Sequence, residues 1–183
     1  TAFNIATKSS VLTVPVTLIA TDDVAVTGYY LSENSVSPAI GAAGWTATKP
    51  ATYTFPSSGA YALYAWVKDG AGQISNRASD SISIDLPPSI TSFSLESGSL
   101  DLTVAFTAFT ATDDFEVTGY YLSEVAIAPS VGAAGWVSSK PASYTFDSFG
   151  NNTLYGWVKD ASGNISARAT ATSSIDSAPI ISL

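Results

Sequence analysis

Cysteine, histidine and methionine are all absent from the 183 residues. Without Cys there are no disulfides and no thiolate chemistry. Without His as well, Ser-His-Asp and Cys-His catalysis and every zinc site built on His or Cys are excluded. Charge is scarce too, at 12% of residues against about 25% in ordinary domains. Only 7 residues are basic against 15 acidic, giving a net charge of -8 and a pI near 4.1. Nucleic acids and anionic membrane surfaces both require clustered Lys and Arg, so neither is an expected partner. No apolar run approaches the ~20 residues needed to span a bilayer as a helix. The missing Met and the start at Thr1 read as an excised or processed piece, with no signal peptide or targeting segment visible.

Apolar residues make up 46% of the chain, enough for a core, and the surface is filled with Ser, Thr, Ala and Gly in place of charge. That composition fits an extracellular protein. An internal repeat sets the organisation. Residues 22–85 align without gaps on residues 113–176, and 38 of the 64 positions are identical. The shared stretches include VTGYYLSE (26–33 and 117–124), GAAGW (41–45 and 132–136), YTF (53–55 and 144–146) and WVKD (66–69 and 157–160). Upstream, Phe3 and Leu12-Thr13-Val14 match Phe93 and Leu102-Thr103-Val104 with the offset reduced by one, so one residue has been inserted before Ala111. The opening Asp85-Leu86-Pro87-Pro88 is echoed by Asp176-Ser177-Ala178-Pro179, where a third unit would begin. The expected domains are residues 1–86 and 87–177, with 178–183 starting a linker to a further repeat.

Each unit reads as all-β. Alternating or β-branched runs at 11–20, 26–32, 52–55, 61–68 and 74–84 are separated by Gly, Pro, Asn and Asp clusters. No stretch sustains a 3.6-residue period with caps. About seven short strands in about 90 residues is the signature of a Greek-key β-sandwich. Pro87-Pro88 cannot sit in a central strand and stiffens the junction, so two sandwiches should follow head to tail.

The motif Gly59-x-Tyr61-x-Leu63-Tyr64-x-Trp66-Val67-Lys68-Asp69-x-x-Gly72, with Asp22-Asp23-x-x-Val26-Thr27-Gly28-Tyr29-Tyr30 upstream, resembles the bacterial immunoglobulin-like repeats of secreted and cell-surface proteins. The resemblance covers almost the whole chain, twice. It implies tandem sandwiches serving as spacers, adhesin stalks, fibre subunits or enzyme accessory domains, and it names no ligand. Unlike antibody domains, these units have no Cys pair, so packing must supply all the cohesion.

Two phases are open to the 61–69 strand. In one, Tyr61, Leu63, Ala65 and Val67 point inward; in the other, Tyr64, Trp66 and Lys68 do, with Tyr64 as a tyrosine corner. The first is preferred because it keeps the Lys68 ammonium out of the core. Small Ala65 and Gly156 would then be filled over by a ring such as Tyr29 or Trp45. Tyr64, Trp66, Tyr155 and Trp157 would stand on an outer aromatic face suited to a glycan or protein partner. Under the plainer alternative, the 41–50 segment folds over these rings and they are core.

Ten of the 15 acids form five matched pairs: Asp22/Asp113, Asp23/Asp114, Glu33/Glu124, Asp69/Asp160 and Asp85/Asp176. In an immunoglobulin-like sandwich the Asp-Asp loops and Asp69/Asp160 fall at the end where the chain enters, so Asp85 is expected to approach Asp113, Asp114 and Asp160. Converging carboxylates repel unless a hard cation joins them, and Ca²⁺ accepts six to eight oxygens with tolerant geometry. The candidate metal ligands are therefore Asp22, Asp23, Asp69, Asp85, Asp113, Asp114 and Asp160. No EF-hand loop exists, and Asp69-x-x-Gly72 and Asp160-x-x-Gly163 read more plainly as turn caps. Asn151-Asn152-Thr153 and Asn164-Ile165-Ser166 fit the short N-glycosylation pattern.

The sequence thus predicts a non-catalytic structural segment of an extracellular or cell-surface protein, with no certain cofactor. Its expected partners are neighbouring repeats, with self-association into fibres as a further possibility. A carbohydrate-binding accessory module and a filament subunit are the alternatives. Net charge divides as -2 for residues 1–90 and -6 for 91–183, so the units are not electrostatic copies.

Overall fold

In the computed structural model, residues 2–177 and Pro179 are described; most of the expected linker at 178–183 lies outside them. The chain divides into two compact units, Thr1–Leu86 and Pro87–Leu183. Every regular element among the described residues is a strand.

Unit 1 contains β1 (Ala2–Asn4), β2 (Lys8–Ser9), β3 (Thr13–Pro15), β4 (Thr17–Ile19), β5 (Val26–Ser32), β6 (Thr52–Thr54), β7 (Gly59–Asp69) and β8 (Ala78–Ile84). One sheet has the order β2-β8-β7-β5; facing it, β1 pairs with β4 and β3 with β6. The opening segment therefore divides between the sheets: β1 lies antiparallel to β4, then β2 runs parallel to β8. Asp80 Oδ2 accepts the Ile5 N–H at 2.9 Å where the chain crosses. This is the connectivity of immunoglobulin-like and fibronectin-III-like sandwiches. The core is drawn from both sheets: Val14, Val16, Leu18 and Phe55 on one side, Leu63, Ala65, Val67, Ile82 and Ile84 on the other.

Unit 2 repeats the plan with β9 (Ser89–Leu95), β10 (Gly98–Ser99), β11 (Thr103–Thr112), β12 (Val117–Ser123), β13 (Ser143–Thr145), β14 (Gly150–Asp160) and β15 (Ala169–Ile175). Its sheets are β10-β15-β14-β12 and β13-β11-β9. The inserted residue has a structural place. Val16 N donates to Ala51 O and Phe106 N donates to the matching Ala142 O, while Phe3 faces Leu18 and Phe93 faces Phe109. The extra position falls between Phe106 and Ala108, where the β9–β11 register shifts. Thr107 is thus a β-bulge.

The strand phase is the preferred one. Leu63, Ala65 and Val67 are buried in the core, with Tyr61 packed against it. Over Gly156 the ring is Phe93, a residue of β9. A Cβ on Gly156 would lie 2.7 Å from the Phe93 ring, and Phe93 packs with Phe106 and Phe109 at centroid distances of 5.4 and 5.0 Å. The filler comes from β9, directly across the sandwich, so sequence distance concealed it.

Candidate functional site

The acidic loops cap their own turns. In unit 1, Asp22 Oδ2 accepts the backbone N–H of Val24 at 3.2 Å and of Ala25 at 2.9 Å. Asp69 Oδ1 accepts the Gln73 N–H at 2.8 Å, closing a turn in which Gly72 takes φ +88°, a conformation that glycine adopts without steric cost. Asp22, Asp23 and Asp69 line one depression of about 360 Å³ together with Thr21, Gln73 and Ser75.

Unit 2 reproduces this with one change. Asp113 Oδ2 accepts from Phe115 N at 3.2 Å and Glu116 N at 2.9 Å. Asp160 accepts from both the backbone and the side chain of Asn164, at 2.8 and 2.7 Å, and is buried. The shorter Asn in place of Gln73 lets the side-chain amide reach back to the second carboxylate oxygen. Burial holds the Asp113 carboxyl above the ordinary carboxylate value; the donors on Phe115 and Glu116 oppose this, and the Asp114 and Asp160 charges add to it. Asp113 Oδ1 is buried without a hydrogen-bond partner among the described residues.

Asp85 stands apart from the rest of the unit 1 set. It follows β8 at the end where Ile84 pairs with Gly59, whereas Asp69 closes the opposite end of β7. Its backbone N–H donates to Ser9 O at 3.0 Å, as Asp176 N does to Ser99 O at 2.9 Å.

The expected aromatic face is corrected. Trp66 and Trp157 lie on the side of the sheet facing away from the main core, yet they are only 2% and 1% exposed, so neither ring is open to a partner. The 41–50 segment folds over them. Thr46 forms a bridge with Tyr29, Trp45 packs edge-on to Tyr30 at 5.4 Å, and Tyr30 packs edge-on to Trp66 at 6.1 Å. Tyr121, Trp136 and Trp157 repeat both distances. Tyr64 and Tyr155 are half-buried, and each ring is covered by a guanidinium at 4.9 Å, from Arg77 and Arg168 respectively.

Sequence reasoning assigned Lys68 only to the outside of the sheet. In the fold its ammonium lies 4.7 Å from the Trp45 ring centroid and donates to Ile40 O at 2.8 Å. Lys159 repeats this on Trp136 and Val131 O. The stem passes so close to β5 that a Cβ on Gly28 would meet Lys68 Cε at 2.8 Å. The available signal was the joint recurrence of Gly28, Trp45 and Lys68 at Gly119, Trp136 and Lys159.

No family model matches the chain, and no curated protein matches it. Solved structures do. The fibronectin(III)-like modules of Clostridium thermocellum CbhA match at 14% identity and a TM-score of 0.41, over 96% of this chain and 95% of that one. Drosophila OTK extracellular domains 3–5 match at 8% and 0.45, over 96% and 62%. Chicken CNTN1 FN1-FN3 domains match at 12% and 0.35, over 97% and 67%. The likeness is one of fold alone.

Proposed function

We propose that the chain is a non-catalytic segment of tandem immunoglobulin-like modules from an extracellular or cell-surface protein, acting as a stalk, adhesin or fibre element. One observation carries this reading: the recurring motifs are engaged in holding their own unit together. Trp66/Trp157 are buried, Lys68/Lys159 and Gly28/Gly119 fasten the 41–50 and 132–141 segments to the sheet, and Asp22/Asp113 and Asp69/Asp160 cap turns. What repeats is architecture, as expected of a module whose duty is length. No helix among the described residues is long and apolar enough to cross a membrane.

Pulling single molecules from both ends tests the proposal. Two separate unfolding events are expected, each releasing about 30 nm of chain at about 3.5 Å per residue. A single event of twice that length would overturn it.

Calcium is retained as a proposal for the loop-end carboxylates, on the buried, unbonded Asp113 oxygen. Calorimetric titration with Ca²⁺ should give heat and a chelator should lower the melting temperature; silence in both removes the ion. A carbohydrate-binding module is the second reading, favoured by an uncharged groove on unit 2 lined by Asn151, Thr153, Thr172 and Ser174.

A further inference from the structure

The two units differ at the start of the longest strand of the four-stranded sheet. Where β7 begins Gly59-Ala60-Tyr61-Ala62, β14 begins Gly150-Asn151-Asn152-Thr153. In unit 2 a depression of about 350 Å³ lies here, over β15. Thr172 and Ser174 lie on the middle strand, Asn151 and Thr153 on one side and Ser97 on the other. Asn151 is in register with Ser174, and Thr153 with Thr172, so their side chains form two adjacent rows on one surface.

On the three-stranded sheet, exposed hydroxyls bond to one another: Thr91 to Thr110 at 2.8 Å, Ser94 to Thr107 at 2.7 Å, Thr103 to Thr145 at 2.8 Å. In the depression, the Ser97, Asn151, Thr153, Thr172 and Ser174 side chains take no part in any hydrogen bond among the described residues. Below them the inward-facing polar groups are satisfied: Asn152 Nδ2 donates to Ser148 O and Gly150 O, and Ser173 Oγ donates to Glu96 O. The floor is therefore fixed while the rim keeps its donors and acceptors. None of the lining residues is charged, although residues 91–183 carry a net charge of -6.

We propose that this groove binds a neutral carbohydrate. Hydroxyls and a carboxamide each both donate and accept, which matches the alternating hydroxyls of an uncharged sugar. Within the depression itself a charged ligand would find no counter-ion among the lining residues, and an apolar one would leave the rim polar groups desolvated and unpaired. Tyr155, two residues beyond Thr153 on the same face, extends the row toward Thr170; since Arg168 covers one ring face, it offers its hydroxyl and edge. The inference rests on the extracellular-module reading only in taking the chain as non-catalytic, and it concerns unit 2 alone.

Native gels cast with neutral polysaccharides (hydroxyethylcellulose, xyloglucan, glycogen, galactomannan) provide the test, with heparin as the charged comparison. The intact chain should be retarded by at least one neutral polymer and not by heparin. Asn151→Ala with Thr153→Ala installs the residues unit 1 carries at 60 and 62, so the double variant should fold with its melting temperature nearly unchanged. It should lose at least ten-fold in affinity. Because unit 1 keeps alanine at 60 and 62, Ala60→Asn with Ala62→Thr serves as a second arm that should add binding. Retardation by none of the neutral polymers, by heparin alone, or equally in wild type and double variant would overturn the assignment. Two unfolding events under force would stand regardless, so failure here is separable from failure of the module reading.

Discussion

The lysine in the repeated Trp-Val-Lys-Asp motif shows how one side chain can fasten a loop. Lys68 threads past Gly28, lays its ammonium on Trp45 and donates to Ile40 O, so its charge is met without entering the core. Lys68→Met removes a cation–π contact and a charge-assisted hydrogen bond, and should lower stability by about 1–2 kcal/mol in urea titration. At Gly156 the constraint is space: a methyl would meet a Phe93 ring wedged between Phe106 and Phe109. Gly156→Ala should cost about 1–3 kcal/mol, while Ala65→Gly in unit 1 should cost less than the reverse change. Asp113 supplies the pH dependence. Its raised folded-state value means the folded chain binds its proton more tightly than the unfolded one, so its unfavourable contribution grows as pH rises through the interval above the ordinary Asp value. Asp113→Asn should keep the turn bonds to Phe115 and Glu116 through the amide oxygen. In calcium-free buffer it should raise the melting temperature at neutral pH, with the gain vanishing in acid.

Strand β11 is continuous where unit 1 breaks into β3 and β4 after Pro15, and it carries one residue more. Thr107 occupies the bulge, its hydroxyl bonded to Ser94 Oγ and Leu95 O, so Phe106 and Phe109 both reach the aromatic cluster across two intervening residues. In unit 1, Val16 and Leu18 reach the core across one. Deleting Thr107 should therefore leave unit 2 folded, since it restores the unit 1 pattern. Deleting Val104, on an unbulged stretch paired with β13, shifts the register by one and turns core side chains outward. Two-dimensional NMR of both deletions should show dispersed unit 2 signals only in the first. The insertion was visible in the repeat alignment; that it forms a bulge, and on which side chain it lands, followed only from the cross-strand register.

At the scale of the molecule, two units with separate cores and no shared covalent staple set how the protein resists unfolding. With no disulfides and few charges to draw on, stability rests chiefly on apolar burial, and Trp66 and Trp157 are each covered by a strap of their own unit. The all-β class, the repeat and the inward face of β7 were legible in the sequence because alternation and self-similarity are local properties of the chain. The turn-capping Asp residues were legible too, since an Asx turn involves neighbours two to four residues away. Which ring fills the gap over Gly156, and the burial of Trp66 and Trp157 on what alternation marks as the outer face, were decided by tertiary structure. Alternation assigns a side of the sheet, not what lies beyond it, and the covering segment comes from about 20 residues upstream. The rim of the unit 2 groove belongs to the same category: Asn151 and Thr153 are plain in the sequence, but only the pairing of β14 with β15 puts them beside Ser174 and Thr172.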